Sequence, residues 1–373
     1  MKKKIVIVIS ELYLGGTEKH LLNVLKRLSQ YKNLDFLVLT LTAKGDFYHQ
    51  FTKLKNIKLH NIQNKKRYYT NKFLKFFYVL FIMLQTYFFL RKYSPTIIHF
   101  FLPTSYIIAG FPSILIKNTK LLMSRRSLNL YQKKYFFVRF FEKLLHSKMN
   151  LILSNCNEVS KQLAEEGILK DKIHIINNGI DINKLNYNKI IDQNTKIIFL
   201  FLANFIPYKG HDLLVEAVNK LDKKYLKKIH FWLFGKNNDY TIQIINKINR
   251  YHLNEYFTIK DQIIDVNYYL QKSHVGISVS QEEGMSNSIL EYMNYNMPVI
   301  GTKVGGTIEL IQDHYNGILI NKNSQKELIK AIAYYIDNYN LISVHGSNSK
   351  QIVSQKYSIE QCVESYKDLY DTL

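Results

Sequence analysis

Residues 275–291 have the sequence VGISVSQEEGMSNSILE, and this stretch decides the fold. Residues 275–280 form a short apolar run of the kind found in buried strands, and an amphipathic helical pattern begins near Asn287. The polar loop between them contains Gly284. A strand that passes through a polar loop into a helix is the building unit of a parallel α/β sheet. In such sheets ligands bind beyond the carboxyl ends of the strands, so this loop is also a place to expect a site.

The same alternation of short apolar runs and longer amphipathic runs continues along the chain. It predicts two series of parallel strands with crossover helices, separated by a polar, Asn-rich linker at 177–194. We therefore expect an α/β protein with two doubly wound domains that face one another across a cleft, the boundary falling between 185 and 186. The predicted strands are 4–9, 35–41, 57–61, 97–101, 120–124 and 151–154, then 196–203, 229–234, 256–259, 275–280, 299–302 and 317–320.

The charge of the chain is distributed very unevenly. The 373 residues carry a formal net charge of +22, yet residues 1–150 contain 27 basic and 5 acidic side chains, whereas residues 151–373 contain 24 of each. The hydrophobic content of 47% excludes a disordered chain. The basic half is either a solvated surface or the docking surface for an anionic partner, such as membrane lipid, a phosphate-bearing substrate or nucleic acid.

The cysteines and the N-terminal residues give information on the cellular compartment of the protein. Cys156 and Cys362 are the only cysteines and lie far apart in sequence, which is typical of a protein from a reducing compartment. Residues 2–9 resemble the start of a signal peptide, but Ser10 and Glu11 end the apolar run after five residues. We predict that this run is a buried first strand.

One segment, 73–90, is apolar enough to concern a membrane. Lys75 and Gln85 are its only strongly polar members, and basic residues flank it at 65–67 and 91–92. Its eighteen residues are marginal for a bilayer, which needs about 20 apolar residues. Three interpretations stay open: a spanning helix, a helix lying in the membrane interface, or a helix that covers the core of its own domain.

Two glycine-containing loops after predicted strands are candidates for binding phosphate. Gly15, Gly16, Thr17 and Glu18 precede an amphipathic helix, whose first N–H groups could bind an anion. Lys209-Gly210 follows the strand 196–203 and could place a point charge on a diphosphate. A tight turn without a ligand and a solvated lysine would have the same sequences.

The loop after strand 275–280 gives the most specific signal. Glu283 lies in the loop, and Glu291, eight positions later, lies two turns into the helix on roughly the same side. Carboxylates accept hydrogen bonds from sugar hydroxyls, so this pair could hold a hexose and a ribose. The N–H groups of Met285 and Ser286 open the helix and could bind phosphate. A pair of surface glutamates is the alternative.

These motifs, in this order, resemble the family 4 retaining glycosyltransferases, which have the GT-B fold. The resemblance covers nearly the whole chain and rests most heavily on 280–317, where the family's Glu-x7-Glu signature matches Glu283 and Glu291. It implies a C-terminal nucleotide-sugar-binding domain at 186–355 and an N-terminal acceptor-binding domain at 1–185. It also implies a last helix at 356–373 that packs back on the N-terminal domain. Further matching segments are 15–18, 97–99, 154–155, 178–181, 209–210, 265–266, 298–299, 305–306, 309 and 316–317.

The resemblance also implies roles for individual residues. Glu283, with Gly284, Met285 and Ser286, would hold the donor sugar and phosphates, Glu291 the ribose, and Lys209 the diphosphate. Gly16 would reach the β-phosphate when the domains close. Transfer would retain the configuration at the anomeric carbon, with the departing phosphate accepting the acceptor's proton. Positioned cations and N–H groups would stabilise the charge on that phosphate.

The sequence departs from the family pattern at two places. Asn204 stands where many members have Arg, and 124–127 stands where many have His. Arg125 or Arg126 could restore the missing positive charge near the phosphates, or could serve acceptor binding or a surface role. His99 is either a site residue or a hydrogen-bonded histidine at a strand end.

The leading hypothesis is a glycosyltransferase that extends a lipid-linked or cell-surface glycan, such as capsule, O-antigen or a teichoic-type polymer, from a UDP-sugar. It predicts a cytoplasmic enzyme, peripheral on the anionic inner face of the membrane. No cofactor or metal is expected, because the chain has no Asp-x-Asp triplet. The alternatives are a soluble sugar acceptor, a nucleotide-sugar epimerase, or a non-enzymatic module that binds membrane or nucleic acid. A module would not explain Glu283 and Glu291, so nucleic acid is not an expected partner.

Overall fold

The computed structural model divides the chain into two compact units. Unit 1 comprises Met1–Gly179 together with Ile359–Leu373, and unit 2 comprises Ile180–Ser358. The domain boundaries predicted from sequence were 185/186 and 355/356. The described residues are all except 1, 14, 65–69, 130, 131, 133, 134, 184–190, 193, 195, 262 and 264. The basic flank at 65–67 therefore lies outside the described residues.

Unit 1 is built on a parallel seven-stranded sheet. Its strands follow the order β3-β2-β1-β4-β5-β6-β7, so the chain starts in the middle and winds outward in both directions. All six strands predicted for this half are present, whereas β7 was not predicted. The strands are β1 Lys3–Ile9, β2 Leu34–Thr40, β3 Ile57–Asn61, β4 Ile97–Phe101, β5 Lys120–Arg125, β6 Leu151–Ser154 and β7 Ile173–Ile175.

The helices of unit 1 form a layer on each face of this sheet. Right-handed crossovers place the helices after β1 and β2 on one face and those after β3, β4 and β5 on the other. The helices are α1 Gly16–Leu28, α2 Tyr48–Thr52, α3 Lys72–Tyr93, α4 Pro103–Ser113, α5 Phe136–His146 and α6 Asn157–Glu165.

Unit 2 repeats the design with a parallel six-stranded sheet. Its order is β10-β9-β8-β11-β12-β13, and all its predicted strands are present. The strands are β8 Ile197–Leu202, β9 Ile229–Phe234, β10 Phe257–Lys260, β11 Val275–Ser278, β12 Val299–Thr302 and β13 Gly317–Ile320. The helices are α7 His211–Asn219, α8 Lys223–Leu226, α9 Asp239–Arg250, α10 Asn267–Lys272, α11 Asn287–Asn294, α12 Thr307–Leu310, α13 Gln325–Asp337 and α14 Asn340–Lys356.

The last helix, α15 (Ile359–Thr372), belongs to unit 1 and packs on α1. Its residues Cys362, Tyr366 and Tyr370 join the core cluster that contains β1 and α1 side chains. This confirms the predicted return of the chain to the N-terminal domain. The two points where the chain changes unit lie side by side, since Ile180 pairs with Ser358 as an isolated bridge.

Helix α3 covers the predicted membrane candidate. Among the described residues it is the one helix long and apolar enough to cross a membrane, with a mean hydropathy of 1.8 over its most apolar eighteen residues. Only 17% of that window is buried, so the helix does not mainly cover the core. Its buried side chains are Ile82, Thr86 and Leu90. Cys156 and Cys362 are both buried, and no disulfide joins them.

Candidate functional site

Two loops of unit 2 meet at the carboxyl edge of the sheet because β8 and β11 are neighbouring strands. The backbone N–H of Gln281 donates to the carbonyl of Tyr208 at 2.7 Å, which joins the loop after β11 to the loop after β8. The hydroxyl of Thr302, at the end of β12, donates to the carbonyl of Ser280 at 2.6 Å. The loop that carries Glu283 is therefore held from both sides.

Lys209 and Glu283 are brought together by this arrangement. The Lys209 Nζ lies 2.5 Å from the Glu283 Oε1, and the Ser280 hydroxyl donates to the same oxygen at 3.1 Å. The side chains are 17% and 16% exposed, so a ligand can reach them. Burial lowers the pKa of Lys209, but the carboxylates of Glu283 and Glu282 and the Tyr208 phenol outweigh it and raise that pKa above its ordinary value.

Gly210 fixes the backbone beside Lys209. Its φ of +89° lies in the left-handed region, and a Cβ at this position would come within 2.4 Å of the Val279 carbonyl oxygen. Only glycine fits both conditions. The chain can therefore turn from the short 3-10 helix Pro207–Lys209 into α7 while its backbone touches the end of β11.

The start of α11 is held by a second close contact. The N–H of Gly306 donates to the carbonyl of Gly284 at 3.1 Å, and a Cβ on Gly306 would lie 2.6 Å from that oxygen. Met285 and Ser286 follow as buried residues before the helix begins at Asn287.

Glu291 lies half-buried in the second turn of α11. The next residue, Tyr292, is fully buried, and its hydroxyl accepts a hydrogen bond from the N–H of Leu202 in β8 at 2.6 Å. This bond ties α11 to the sheet and fixes the helix on which Glu291 is carried.

Asn204 has a structural role in the loop after β8. Its Oδ1 accepts a hydrogen bond from the N–H of Lys236 at 3.1 Å, and a Cβ on the preceding Gly235 would lie 2.0 Å from the Ala203 carbonyl oxygen. The position that holds Arg in many family members therefore joins the loops after β8 and β9. Arg125 and Arg126, the proposed replacements for that charge, both lie in unit 1.

The glycine loop of unit 1 contains a buried carboxyl group. Gly15 precedes α1, Gly16 and Thr17 are its first residues, and Glu18 follows. A Cβ on Gly15 would lie 2.6 Å from the Glu18 Oε2, so the end of this side chain folds back over Gly15 and would have to shift if a larger residue stood there. Burial raises the pKa of Glu18 to about 7, against smaller opposing effects of a backbone hydrogen bond and of Arg126.

His99 is a hydrogen-bonded histidine of the core. It is completely buried, and its Nδ1 and Nε2 lie 2.7 Å from the Tyr370 hydroxyl and the Ser124 hydroxyl. Burial, with a smaller effect of Arg126, lowers its pKa to about 3, so the ring is neutral. Of the two interpretations of His99, the geometry favours the structural one.

Arg125 and Arg126 have separate environments although they are neighbours. Arg125 is buried and pairs with Glu142 at 3.1 Å and with Glu166 at 2.7 Å, so it does not serve as a phosphate ligand. Arg126 is half-exposed, and its Nη2 donates to the Asn178 Oδ1 at 2.6 Å. Arg126 also acts electrostatically on Glu18, His20 and His99, and its charge favours a lower pKa for each of these groups.

Three side chains near the candidate sites were not predicted from sequence. Ser280 and Tyr208 contact Glu283 and Lys209, and their signal was adjacency to the two motifs. His20 is buried against Tyr366, and neither of its ring nitrogens has a hydrogen-bond partner among the described residues. Burial, then Arg126, lowers the pKa of His20 well below its ordinary value. Its position one turn after Gly16 was the available signal.

Comparison with protein families agrees with this architecture. Residues 14–184 match the model for Glycosyltransferase Family 4, and residues 183–352 match the model for Glycosyl transferases group 1. The chain is a glycosyltransferase. The candidate site around Lys209 and Glu283 lies in the segment that matches the group 1 model.

Relatives of this glycosyltransferase come from several organisms. An uncharacterised glycosyltransferase of Methanocaldococcus jannaschii is 28% identical over 97% of this chain and 95% of the relative. The UDP-Gal:alpha-D-GlcNAc-diphosphoundecaprenol alpha-1,3-galactosyltransferase of Escherichia coli is 22% identical, over 53% of this chain and 54% of the relative. The crystal structure of Anabaena HepE with UDP and glucose superimposes with a TM-score of 0.83 at 18% identity, covering both chains completely. The glycosyltransferase therefore has the GT-B fold with two Rossmann-like domains.

Proposed function

We propose that this glycosyltransferase moves a hexose or N-acetylhexosamine from a UDP-sugar to a lipid-linked or cell-surface glycan, with retention at the anomeric carbon. The Lys209–Glu283 pair carries the proposal, because it combines a cation for the diphosphate with an acceptor for sugar hydroxyls in one place. The name of the E. coli relative gives UDP-Gal as its donor, which favours a UDP-sugar.

In the ligand-free protein each charge of the pair is compensated by the other. A nucleoside diphosphate sugar can substitute for each partner of this ion pair. Its phosphate would bind Lys209, and its sugar hydroxyls would donate hydrogen bonds to Glu283. The N–H groups around Gly284, Met285 and Ser286 would add donors to the phosphate, and Glu291 would bind the ribose. Lys209 is then in place to stabilise the charge that develops on the leaving phosphate.

The acceptor and the location are part of the same proposal. The name of the E. coli relative includes a diphosphoundecaprenol acceptor, and the excess of basic residues lies within 1–150. Both support an enzyme that is peripheral on the anionic, cytoplasmic face of the inner membrane.

We further propose that transfer needs no metal, because the chain has no Asp-x-Asp triplet. Full transfer in chelator is the expected result, and activity restored only by Mn²⁺ would contradict it.

The donor site is tested by Glu283→Gln, which keeps the size of the side chain and removes its charge. We expect at least a 100-fold loss of transfer and of slow donor hydrolysis, in the range found when one preorganised polar group is removed from an active site. Both are measured by release of UDP from a panel of UDP-sugars. Glu282→Gln, in the same loop, is the matched control and should keep most activity. Equal activity of the two variants would refute the assignment.

A further inference from the structure

Two helices of unit 1 carry most of its exposed aromatic surface. All nine phenylalanines that are exposed among the described residues lie on α3 or α5, and several leave more than half of the side chain in solvent. Monomeric proteins seldom expose an apolar area of this kind without a partner. These nine and their exposed leucine neighbours form the aromatic surface: Phe73, Leu74, Phe76, Phe77, Leu80, Phe81, Leu84, Phe88, Phe136, Phe137, Phe140, Phe141 and Leu144.

The exposed residues form a stripe along each helix. In α3 they recur at intervals of three and four from Phe73 to Phe88, while Ile82, Thr86 and Leu90 on the other side are buried. In α5 the exposed stripe runs from Phe136 to Leu144, and the buried residues are Glu142, Leu145 and His146. Each helix therefore turns one side to the protein and an apolar side to the outside.

Both stripes belong to one layer of helices. Crossover handedness places α3, α4 and α5 on the same face of the sheet, and α4 packs against both of its neighbours. The contact between α4 and α5 is close, since a Cβ on Gly110 would lie 3.0 Å from Leu145, and Phe111 packs edge-on against Phe141. Solvent-facing stripes in one layer point away from the same sheet, so the two stripes lie on the same side of unit 1, with α4 between them.

The charges around the aromatic surface have one sign. The exposed basic residues on the two helices are Lys72, Lys75, Arg91, Lys92, Arg139 and Lys143. No acidic residue occurs between Asp46 and Glu142, and Glu142 is buried against Arg125. Phenylalanines with a basic border suit a bilayer that contains anionic lipid, whose headgroups pair with the cations while the rings enter the acyl boundary.

We propose that α3 and α5 together insert into the headgroup and upper acyl region of an anionic bilayer. This deepens the proposed function, on which it rests for the presence of the enzyme at a membrane, and it adds α5, which no sequence motif indicated. In this proposal neither helix spans the bilayer, because each helix has side chains buried against the rest of unit 1. A second copy of the chain is a poor occupant, because two positively charged borders would repel one another.

Binding to vesicles tests the surface with the full-length chain. Vesicles of phosphatidylcholine with phosphatidylglycerol should bind the protein, and phosphatidylcholine alone should not. Phe136→Ser/Phe137→Ser should weaken the partition coefficient at least tenfold. Ile242→Ser/Ile245→Ser on α9, which also removes two exposed apolar side chains, is the matched control and should bind normally. Equal binding of the two variants overturns the proposal.

Fluorescence quenching reports insertion directly. Phe137→Trp and Phe77→Trp should each be quenched by brominated lipids, whereas Ile242→Trp should not. Vesicle binding without quenching of a Trp at position 137 would show that α5 does not insert into the membrane and would overturn the proposal. A dimer of the unmodified chain that Phe136→Ser/Phe137→Ser converts to a monomer, with vesicle binding unchanged, would show self-association instead.

The two proposals fail in different experiments. Phe136→Ser/Phe137→Ser should still hydrolyse a UDP-sugar without vesicles, while Glu283→Gln should still bind vesicles. Donor hydrolysis without vesicle binding in the unmodified protein would overturn the insertion surface and the proposed membrane location, and would leave the donor site unaffected. Vesicle binding without any donor hydrolysis or UDP release would overturn only the proposed function.

Discussion

At the scale of single residues, the carboxyl group of Glu18 costs stability. Its pKa in the folded protein, about 7, lies above the ordinary value of 4.5 because the group is buried. A carboxyl group with a raised pKa favours the folded state fully below pH 4.5 and loses that contribution as the pH rises towards 7. A buried, destabilising carboxyl group beside Gly15 and near Arg126 is typical of a functional position.

Glu18→Gln should therefore stabilise unit 1 at high pH and not at low pH. The expected gain is close to zero at pH 4 and reaches about 2 kcal/mol at pH 8, since one pKa unit corresponds to about 1.4 kcal/mol and part of the shift is discounted. Urea unfolding at a series of pH values measures it. The exposed Glu165→Gln is the control and should follow the unmodified chain. A gain that does not change with pH would contradict the assigned cause.

Neighbouring residues also show where sequence reasoning stops. Two arginines follow each other at the end of β5, and the sequence alone did not indicate which of them could contact a ligand. Successive side chains of a strand point to opposite faces, so Arg125 enters the core and Arg126 reaches the strand end. The partners that decide this, Glu142 and Glu166, lie 17 and 41 positions later in the chain and become neighbours only in the fold.

At the scale of elements, the junction of the 3-10 helix Pro207–Lys209 with α7 depends on Gly210. Gly210→Ala should destabilise unit 2 by about 3 kcal/mol or more, because it adds a clash with the Val279 carbonyl oxygen to the strain of a positive φ. Transfer should fall as well, since Lys209 is the adjacent residue. Thermal unfolding and UDP release measure the two effects.

The control for this variant is Gly167→Ala in unit 1. Gly167 also has a positive φ, +95°, but its Cβ would meet nothing within 4 Å. This change should cost only the backbone strain, about 1–2 kcal/mol, and leave transfer intact. Equal losses from the two substitutions would show that the contact with β11 has no importance.

Twelve of the thirteen strands in the described residues were predictable because each is an apolar run long enough to stand out in the sequence. Strand β7 was missed because three partly exposed residues give no apolar pattern.

Helix α5 shows that sequence periodicity does not always indicate which side of a helix is buried. Its apolar periodicity is strong, but the side that enters the core carries Glu142 and His146, which pair with groups around Arg125 and Glu166. The phenylalanines are therefore left outside, which no count of apolar residues could indicate.

At the scale of the whole molecule, the uneven charge and the two units correspond. The unit that holds Lys209 and Glu283 contains 20 basic and 16 acidic residues, whereas the unit that carries α3 and α5 contains 31 basic and 13 acidic residues, so most of the basic excess lies there. The donor motifs were readable from sequence because they are local. The aromatic surface was not, because it needs three helices of one layer to be placed side by side.

A chain that stops at Ser358 should separate the stabilities of the units. Removal of α15 takes Ile359, Tyr366 and Tyr370 out of the core of unit 1, uncovers the α1 and sheet side chains of the same core cluster, and leaves unit 2 whole. Limited proteolysis with mass spectrometry should then find new cuts within 1–179 and none within 180–358. Loss of only Thr372 and Leu373 is the control and should leave the pattern unchanged. Protection of 1–179 in the shortened chain would contradict this role of α15.

The return of α15 to unit 1 also has a consequence for biosynthesis. A ribosome makes β1 before unit 2 and α15 after it, so the first domain of the nascent chain waits for its final core element until all of unit 2 has been made. Until then the α15 side chains that cover the hydrophobic side of α1 are missing, as is Tyr370, the partner of His99. Unit 2 has all of its strands and helices before that moment. The second domain to be synthesised is therefore expected to be the first to complete its fold, and chaperone binding should be directed at the N-terminal half.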